Sequence, residues 1–337
     1  MRISDKVRNI IKKMNLEEKV GQLFVVRCPR EDAVQDVKKY HLGGYTLYAV
    51  DFEGKTPEEV RNDIRSYQDN ADIPLFIAAD EEGGKVVRIS KFAQFRSEPF
   101  KSPSELYREG GIERIAEDAK EKSGFLLGYG INLNYAPVCD MATDPDNFIY
   151  HRTLGLDAEK TAEYAKAVVK VMNECRMLSA VKHFPGYGDN VDTHTLVARD
   201  GRSMDEFMNR DLLPFIGAFE VGAPIVMIAH NIVECMDPSC PASLSPKVHK
   251  FLREDLHFDN VIMTDSLDMN AITLYTGDRA AAVGAIMSGN DLLCCGTYKI
   301  QIPAVIDAVK KGEISEERID ESLGKILQLK IDFGIID

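Results

Sequence analysis

No apolar run in this 337-residue chain approaches the roughly 18 residues of a membrane span. The segment leading to Phe24 carries basic residues but no uninterrupted apolar core of signal-peptide length. Cysteine is scarce in any useful arrangement: the seven, at 28, 139, 175, 235, 240, 294 and 295, show no metal-ligand spacing. An odd, scattered count points to free thiols in a reducing compartment. Basic charge is also short. Lys plus Arg number 41 against 54 Asp plus Glu, a net charge of −13, which argues against nucleic acid and anionic membrane as main partners. A local basic pocket for an anionic sugar is compatible with that balance. There is no low-complexity segment, no linker between halves and no fixed-period repeat. What is left is an ordinary globular composition, 45% hydrophobic and 28% charged, expected in the cytoplasm without metal or cofactor. The length suits one large domain or two small ones, and large α/β barrels fill this range alone.

Apolar runs of strand length alternate with amphipathic stretches. Strands are expected at 22–26, 43–48, 75–79, 131–136, 178–183, 225–229, 260–264 and 291–295. Helices are expected at 3–14, from Pro57, and at 104–127, 158–175, 203–221, 246–256, 278–288, 302–311 and 316–329. Their starts carry recognisable signals: Thr56-Pro57 with Glu59 reads as a capped helix opening, Asp157 as a cap, and Ser245-Pro246 as another. Eight strand–helix units demand right-handed parallel crossovers and can close on themselves. The expected fold is therefore α/β, a single-domain (β/α)8 TIM-type barrel over residues 1–337, with a doubly wound open sheet as the alternative.

The densest chemistry lies between Lys182 and His194, in Lys-His-Phe-Pro-Gly-Tyr-Gly-Asp-Asn-Val-Asp-Thr-His, directly after the apolar run 178–181. Asp192 and His194 can turn toward one another on an irregular loop, giving an imidazole oriented by a carboxylate and able to move protons near neutral pH. An isolated Asp-x-His is more often a solvated loop, and an isolated His183 a core histidine. Other polar residues fall at the C-terminal ends of expected strands: Asp80, Lys182, His183, His230 and Asp265. In a barrel those ends converge on one mouth. Asp265, closing the run Val261-Ile-Met-Thr, would by itself fit a helix cap, and Asp268 is its nearby competitor. Arg88, eight residues beyond Asp80 and past the turn Gly83-Gly84, can point back to the mouth or pair at the surface.

Taken together, the 182–194 string, Asp80-Glu-Glu-Gly-Gly-Lys-Val-Val-Arg88, Ile149-Tyr-His-Arg-Thr-Leu-Gly155 and Val261-Ile-Met-Thr-Asp-Ser-Leu-Asp-Met269 resemble the motifs of family 3 glycoside hydrolases. The resemblance runs from about Leu16 to the C-terminus and is to the branch containing bacterial β-N-acetylglucosaminidases. It implies Asp265 as nucleophile, His194 as proton donor and later base, and Asp192 as the residue fixing the His194 tautomer. It further implies that Asp80, Lys182 and His183 bind sugar hydroxyls, that Arg152 contacts the sugar, and that Arg88 and His230 frame the pocket; a core role is the alternative for His230. The chain departs from the family pattern at Glu81, Lys85, Tyr150-His151 and Tyr187, where Gln, Arg, Gly-Asp and His are usual. Larger members carry a second α/β domain; this chain is expected to end where the barrel closes, with the Asp192–His194 pair making that domain unnecessary. The implied activity is removal of terminal N-acetyl-β-glucosamine from cell-wall fragments or chitin-type oligosaccharides, the small carbohydrate being the only partner indicated. Phosphorolysis of the same bond, glucosidase or xylosidase activity, and a non-catalytic sugar-binding barrel are the other readings.

Overall fold

The computed structural model describes residues 1–190, 198–276 and 278–337. Eight strands form its centre: β1 (Phe24–Arg27), β2 (Gly44–Leu47), β3 (Phe76–Ala79), β4 (Leu133–Asn134), β5 (Leu178–Phe184), β6 (Ile225–Ile228), β7 (Val261–Thr264) and β8 (Leu293–Cys295). All pair in parallel in the order β8-β1-β2-β3-β4-β5-β6-β7. The ring is completed by a parallel bridge between Met263 and Leu292. There Thr264 N–H donates to Leu292 O at 3.1 Å, and Asp291 and Leu292 donate to Ile262 O. The chain is thus a closed (β/α)8 barrel, not an open sheet.

The strands are near-continuous apolar runs because parallel strands under a layer of helices are buried on both faces. Every residue of β2, β3, β5, β6 and β7 is buried. The helices read the other way, with one apolar stripe each. Helix Pro57–Asp69 opens with the expected Thr56–Glu59 capping box and buries Val60, Ile64 and Tyr67. Helix Ala158–Glu174, capped by Asp157, buries Tyr164, Ala165, Val168, Val169 and Met172.

Several local expectations change. The segment after Asn15 is a helix, Leu16–Gly21, closed by reciprocal Asn15–Glu18 bonds, and a further helix, Ala33–Tyr40, fills the β1–β2 crossover. Helix Pro103–Leu127 breaks at Gly110–Gly111, where Gly111 adopts φ +66°, a conformation costly for residues with a Cβ. The expected helix at 203–221 divides into Met204–Glu206, a π-turn at Phe207–Asp211 and Leu213–Glu220. A short parallel pair, Arg199–Asp200 with Ile232–Val233, lies outside the barrel. All seven cysteines are free, four of them (Cys28, Cys139, Cys294 and Cys295) buried. Among the described residues no helix is long and apolar enough to cross a membrane.

Candidate active site

Because all eight strands run the same way, the residues that follow them share one rim. The centre of that rim is a buried network of alternating charge. Lys182, in β5, sits with Nζ 2.7 Å from Asp80 Oδ1 and 2.6 Å from Glu82 Oε1, and is only 1% exposed. Arg88 reaches Asp80 at 3.0 Å, and Arg152 grips Glu82 through Nε and Nη2 at 3.0 and 2.8 Å. The loop after β3 makes this possible. Gly83 and Gly84 take positive φ, and a Cβ on Gly83 would meet the Lys101 carbonyl. Glu81 turns away from the mouth into the core. It accepts from the Arg88 and Ile89 N–H groups at 2.8 and 3.0 Å and from the Ser90 hydroxyl, so the returning strand is pinned with Arg88 facing Asp80.

Burial alone would raise both mouth carboxyls; the cations outweigh it. Lys182 and Arg88 hold Asp80 well below the usual carboxylate range. Arg152 and Lys182 hold Glu82 at about 2. Both are therefore ionised at neutral pH, and a sugar's hydroxyls would meet fixed charges of both signs.

His183 is aimed by Asp140, which follows β4. Asp140 accepts from His183 Nδ1 at 2.6 Å, from the His183 N–H at 3.0 Å and from the Tyr187 N–H at 2.8 Å. A carboxylate so placed takes the Nδ1 proton, which leaves Nε2 facing Arg152 Nη2 at 3.4 Å. Tyr187 is buried with its ring 5.1 Å from that of His183 and 5.4 Å from that of Phe148, so it packs behind the histidine.

Asp265 closes β7 and is partly exposed at the mouth. Its N–H donates to Ile228 O at 3.0 Å, and its Oδ1 accepts from the Ser266 N–H at 2.7 Å. Tyr48, following β2, shows how near the two halves of the rim are. Burial raises its hydroxyl first, and Cys294, Asp80 and Asp265 raise it further, so both carboxylates bear on one side chain. The Tyr48 ring is flanked by Arg27 at 4.9 Å and Arg88 at 5.6 Å. A cavity of about 290 Å³ opens here, with Tyr48, Ser266 and Cys294 in its wall.

His230 is fully buried after β6, its Nδ1 2.7 Å from Ser243 Oγ and its Nε2 2.9 Å from Ser266 O. It braces the Asp265–Ser266 turn from beneath instead of presenting an edge to the mouth. Asp268 proves to be a cap, though of a later helix: it accepts from the Gly296 and Thr297 N–H groups and the Thr297 hydroxyl at the start of helix Tyr298–Lys310.

The structure thus brings Asp80, Arg88, Arg152, Lys182, His183 and Asp265 to one rim and sets His230 under it. Asp192 and His194 lie outside the described residues. The chain leading to them is anchored at the mouth, since Asp189 accepts from the Thr143 N–H at 2.7 Å and Asn190 O from Asn147 Nδ2 at 2.9 Å. Sequence reasoning missed Glu82, Asp140 and Tyr48. The strand-end rule would have found two of them, as Tyr48 ends the second apolar run and Asp140 follows the fourth; Glu82 carries no such mark beside Glu81.

A closed parallel barrel with ionised carboxylates, guanidinium groups and an oriented imidazole on its C-terminal rim defines an α/β-barrel protein equipped for a polyhydroxylated small molecule. The chain belongs to glycosyl hydrolase family 3, whose N terminal domain it matches over residues 15–329. It is 27% identical over 322 residues to Beta-hexosaminidase A of Pseudoalteromonas piscicida, covering 87% of this chain and 54% of that protein. It is 28% identical over 331 residues to Beta-hexosaminidase LpqI of Mycobacterium tuberculosis, covering 93% and 82%. The solved structure of a glycoside hydrolase family 3 β-N-acetylglucosaminidase from Paenibacillus sp. superposes with a TM-score of 0.89 at 31% identity, covering 96% of this chain and 63% of that one. The chain therefore spans about half the length of the Pseudoalteromonas relative and about four-fifths of the mycobacterial one.

Proposed function

We propose that residues 1–337 act as one catalytic barrel, a retaining exo-β-N-acetylglucosaminidase working in the cytoplasm on cell-wall fragments or chitin-type oligosaccharides. The observation that carries this reading is the placing of Asp265, a partly exposed carboxylate at the end of β7, beside the buried Asp80–Lys182–Glu82–Arg152 network. The family membership, the printed activity of the Paenibacillus neighbour and the names of the curated relatives support it. The seven free thiols support the compartment.

Retention needs a carboxylate on one face of the sugar and a proton donor at the glycosidic oxygen. Asp265 attacks the anomeric carbon as the bond to the leaving oxygen breaks, and protonated His194 gives its proton to that oxygen. The neutral imidazole then takes a proton from water as the water oxygen attacks the same carbon and releases Asp265. Asp192 holds His194 in the required tautomer. Asp80, Lys182, Arg152 and His183 hold the hydroxyls, Arg88 keeps Asp80 in place, and His230 supports the nucleophile's turn. This route calls on no metal or cofactor.

Asp265→Asn keeps the shape and removes the attacking charge, so turnover of an aryl N-acetyl-β-glucosaminide is expected to fall by about three orders of magnitude or more with folding intact. Retention of more than about a tenth of the wild-type rate sinks the assignment. On the wild type, kcat/KM for that substrate is expected to exceed that for the matching glucoside by at least about tenfold. Equal rates would overturn the branch, and acceleration by phosphate with release of a sugar phosphate would make the enzyme a phosphorylase.

A further inference from the structure

A groove of about 400 Å³ runs along the outer side of the loop after β4. One wall is the first turn and a half of helix Pro103–Leu127, with Ser104, Tyr107 and Arg108; the other includes Tyr150, His151 and Leu156. Tyr150-His151 is the pair that stands where the family pattern has Gly-Asp, and nothing in the proposed mechanism uses it.

We infer that this groove is a binding subsite for a sugar ring on the leaving-group side of the substrate, an inference that rests on the glycosidase reading above. The lining has the composition such a ring requires. Tyr107 and Tyr150 are half-buried, and Tyr150 meets His151 edge-on at 5.5 Å. Among the described residues neither tyrosine hydroxyl and neither His151 ring nitrogen has a hydrogen-bond partner. Arg108 uses only Nε, on Ser104 O at 3.2 Å, and its terminal nitrogens stay available. Aromatic walls offering unspent polar tips fit a pyranose, whose C–H face is apolar and whose rim is hydroxyl. The volume falls within the range of about 300–1,000 Å³ usual for small-molecule sites.

Position fixes which ring binds there. His151 and Thr153 line the groove, while Arg152 between them turns its guanidinium the other way onto Glu82 in the mouth. The same loop is tied through Thr143 and Asn147 to Asp189 and Asn190, where the segment carrying Asp192 and His194 begins. The groove therefore lies beside the proposed proton donor, where the departing saccharide must go once the terminal sugar occupies the mouth.

The test compares N-acetyl-chito-oligosaccharides of two, three and four units with the nitrophenyl monosaccharide, on wild type, Arg108→Ala, His151→Ala and Tyr107→Ala. The variants are expected to lower kcat/KM for the trisaccharide about tenfold, through KM, while the nitrophenyl substrate changes by less than about twofold. An equal loss on every substrate, or no loss on the trisaccharide, overturns the groove. Arg108 and His151 are exposed, so those two variants carry the test if Tyr107→Ala does not fold. Trisaccharide binding to Asp265→Asn, measured by calorimetry with and without Arg108→Ala, separates the two proposals. Binding that Arg108→Ala weakens about tenfold supports the groove whatever the turnover; binding that ignores the substitution sinks the groove and leaves the glycosidase reading standing.

Discussion

Replacing Glu82 by glutamine is expected to cost ~3 kcal/mol of stability at pH 7, and the cost should fade in acid. Glu82 is 5% exposed and lies between Lys182 at 2.6 Å and the Arg152 fork. Its surroundings hold its carboxyl at about 2 against an ordinary 4.5. At about 1.4 kcal/mol per pH unit, that preference for the charged form is worth ~3 kcal/mol. Glutamine imitates the protonated acid and forfeits it. The sign follows from linkage: a carboxyl depressed in the folded state stabilises fully above its unfolded value and loses that contribution as pH falls toward its folded value. The window is therefore from about 4.5 down to about 2, and by pH 3 the gap between wild type and Glu82→Gln should have shrunk to ~1.4 kcal/mol. Urea unfolding of both proteins at pH 7, 5, 4 and 3 measures it. At pH 7 the variant should also lose kcat/KM, because Arg152 is no longer gripped at two points. A variant as stable as wild type at pH 7, or a gap that stays constant down to pH 3, would refute the pairing.

Asp268→Ala removes the cap of helix Tyr298–Lys310 and is expected to cost about 0.5–2 kcal/mol in thermal or urea unfolding, with turnover reduced less than tenfold. The reverse ranking of Asp268→Ala and Asp265→Asn in activity would make Asp268 the nucleophile. His194→Ala should slow glycosylation by a natural disaccharide by about 10²–10⁴ but spare a nitrophenyl substrate, whose leaving group departs without a proton. Its slow second step should then be rescued by azide; similar losses on both substrates with no rescue would remove the proton shuttle. Asp140→Asn leaves His183 Nδ1 without its carboxylate and should cost about 1–3 kcal/mol together with weaker substrate binding, read as a rise in KM. An unchanged KM would show that His183 does not touch the sugar.

The strand–helix rhythm and the polar residues ending the apolar runs were legible in one dimension. A strand covered on both faces must be apolar throughout, so Asp80, Lys182 and Asp265 stand out as interruptions at the point where the chain leaves the core. Start signals such as Thr56-Pro57 were equally local, since a cap bonds only within its own turn. Pairings were not. Lys182 meets Asp80 across 102 residues, Arg152 meets Glu82 across 70, and His183 meets Asp140 across 43, and no local pattern says which elements the closing barrel sets side by side. Glu81 and Glu82 are identical neighbours in the chain, yet one pins a turn under Ser90 and the other binds two cations in the mouth. His230 looked like a pocket residue until the fold placed Ser243 and Ser266 against its two nitrogens. Sequence period and polarity encode whether a side chain is buried and on which face. Its partner is decided only when eight separate strand ends are brought onto one rim.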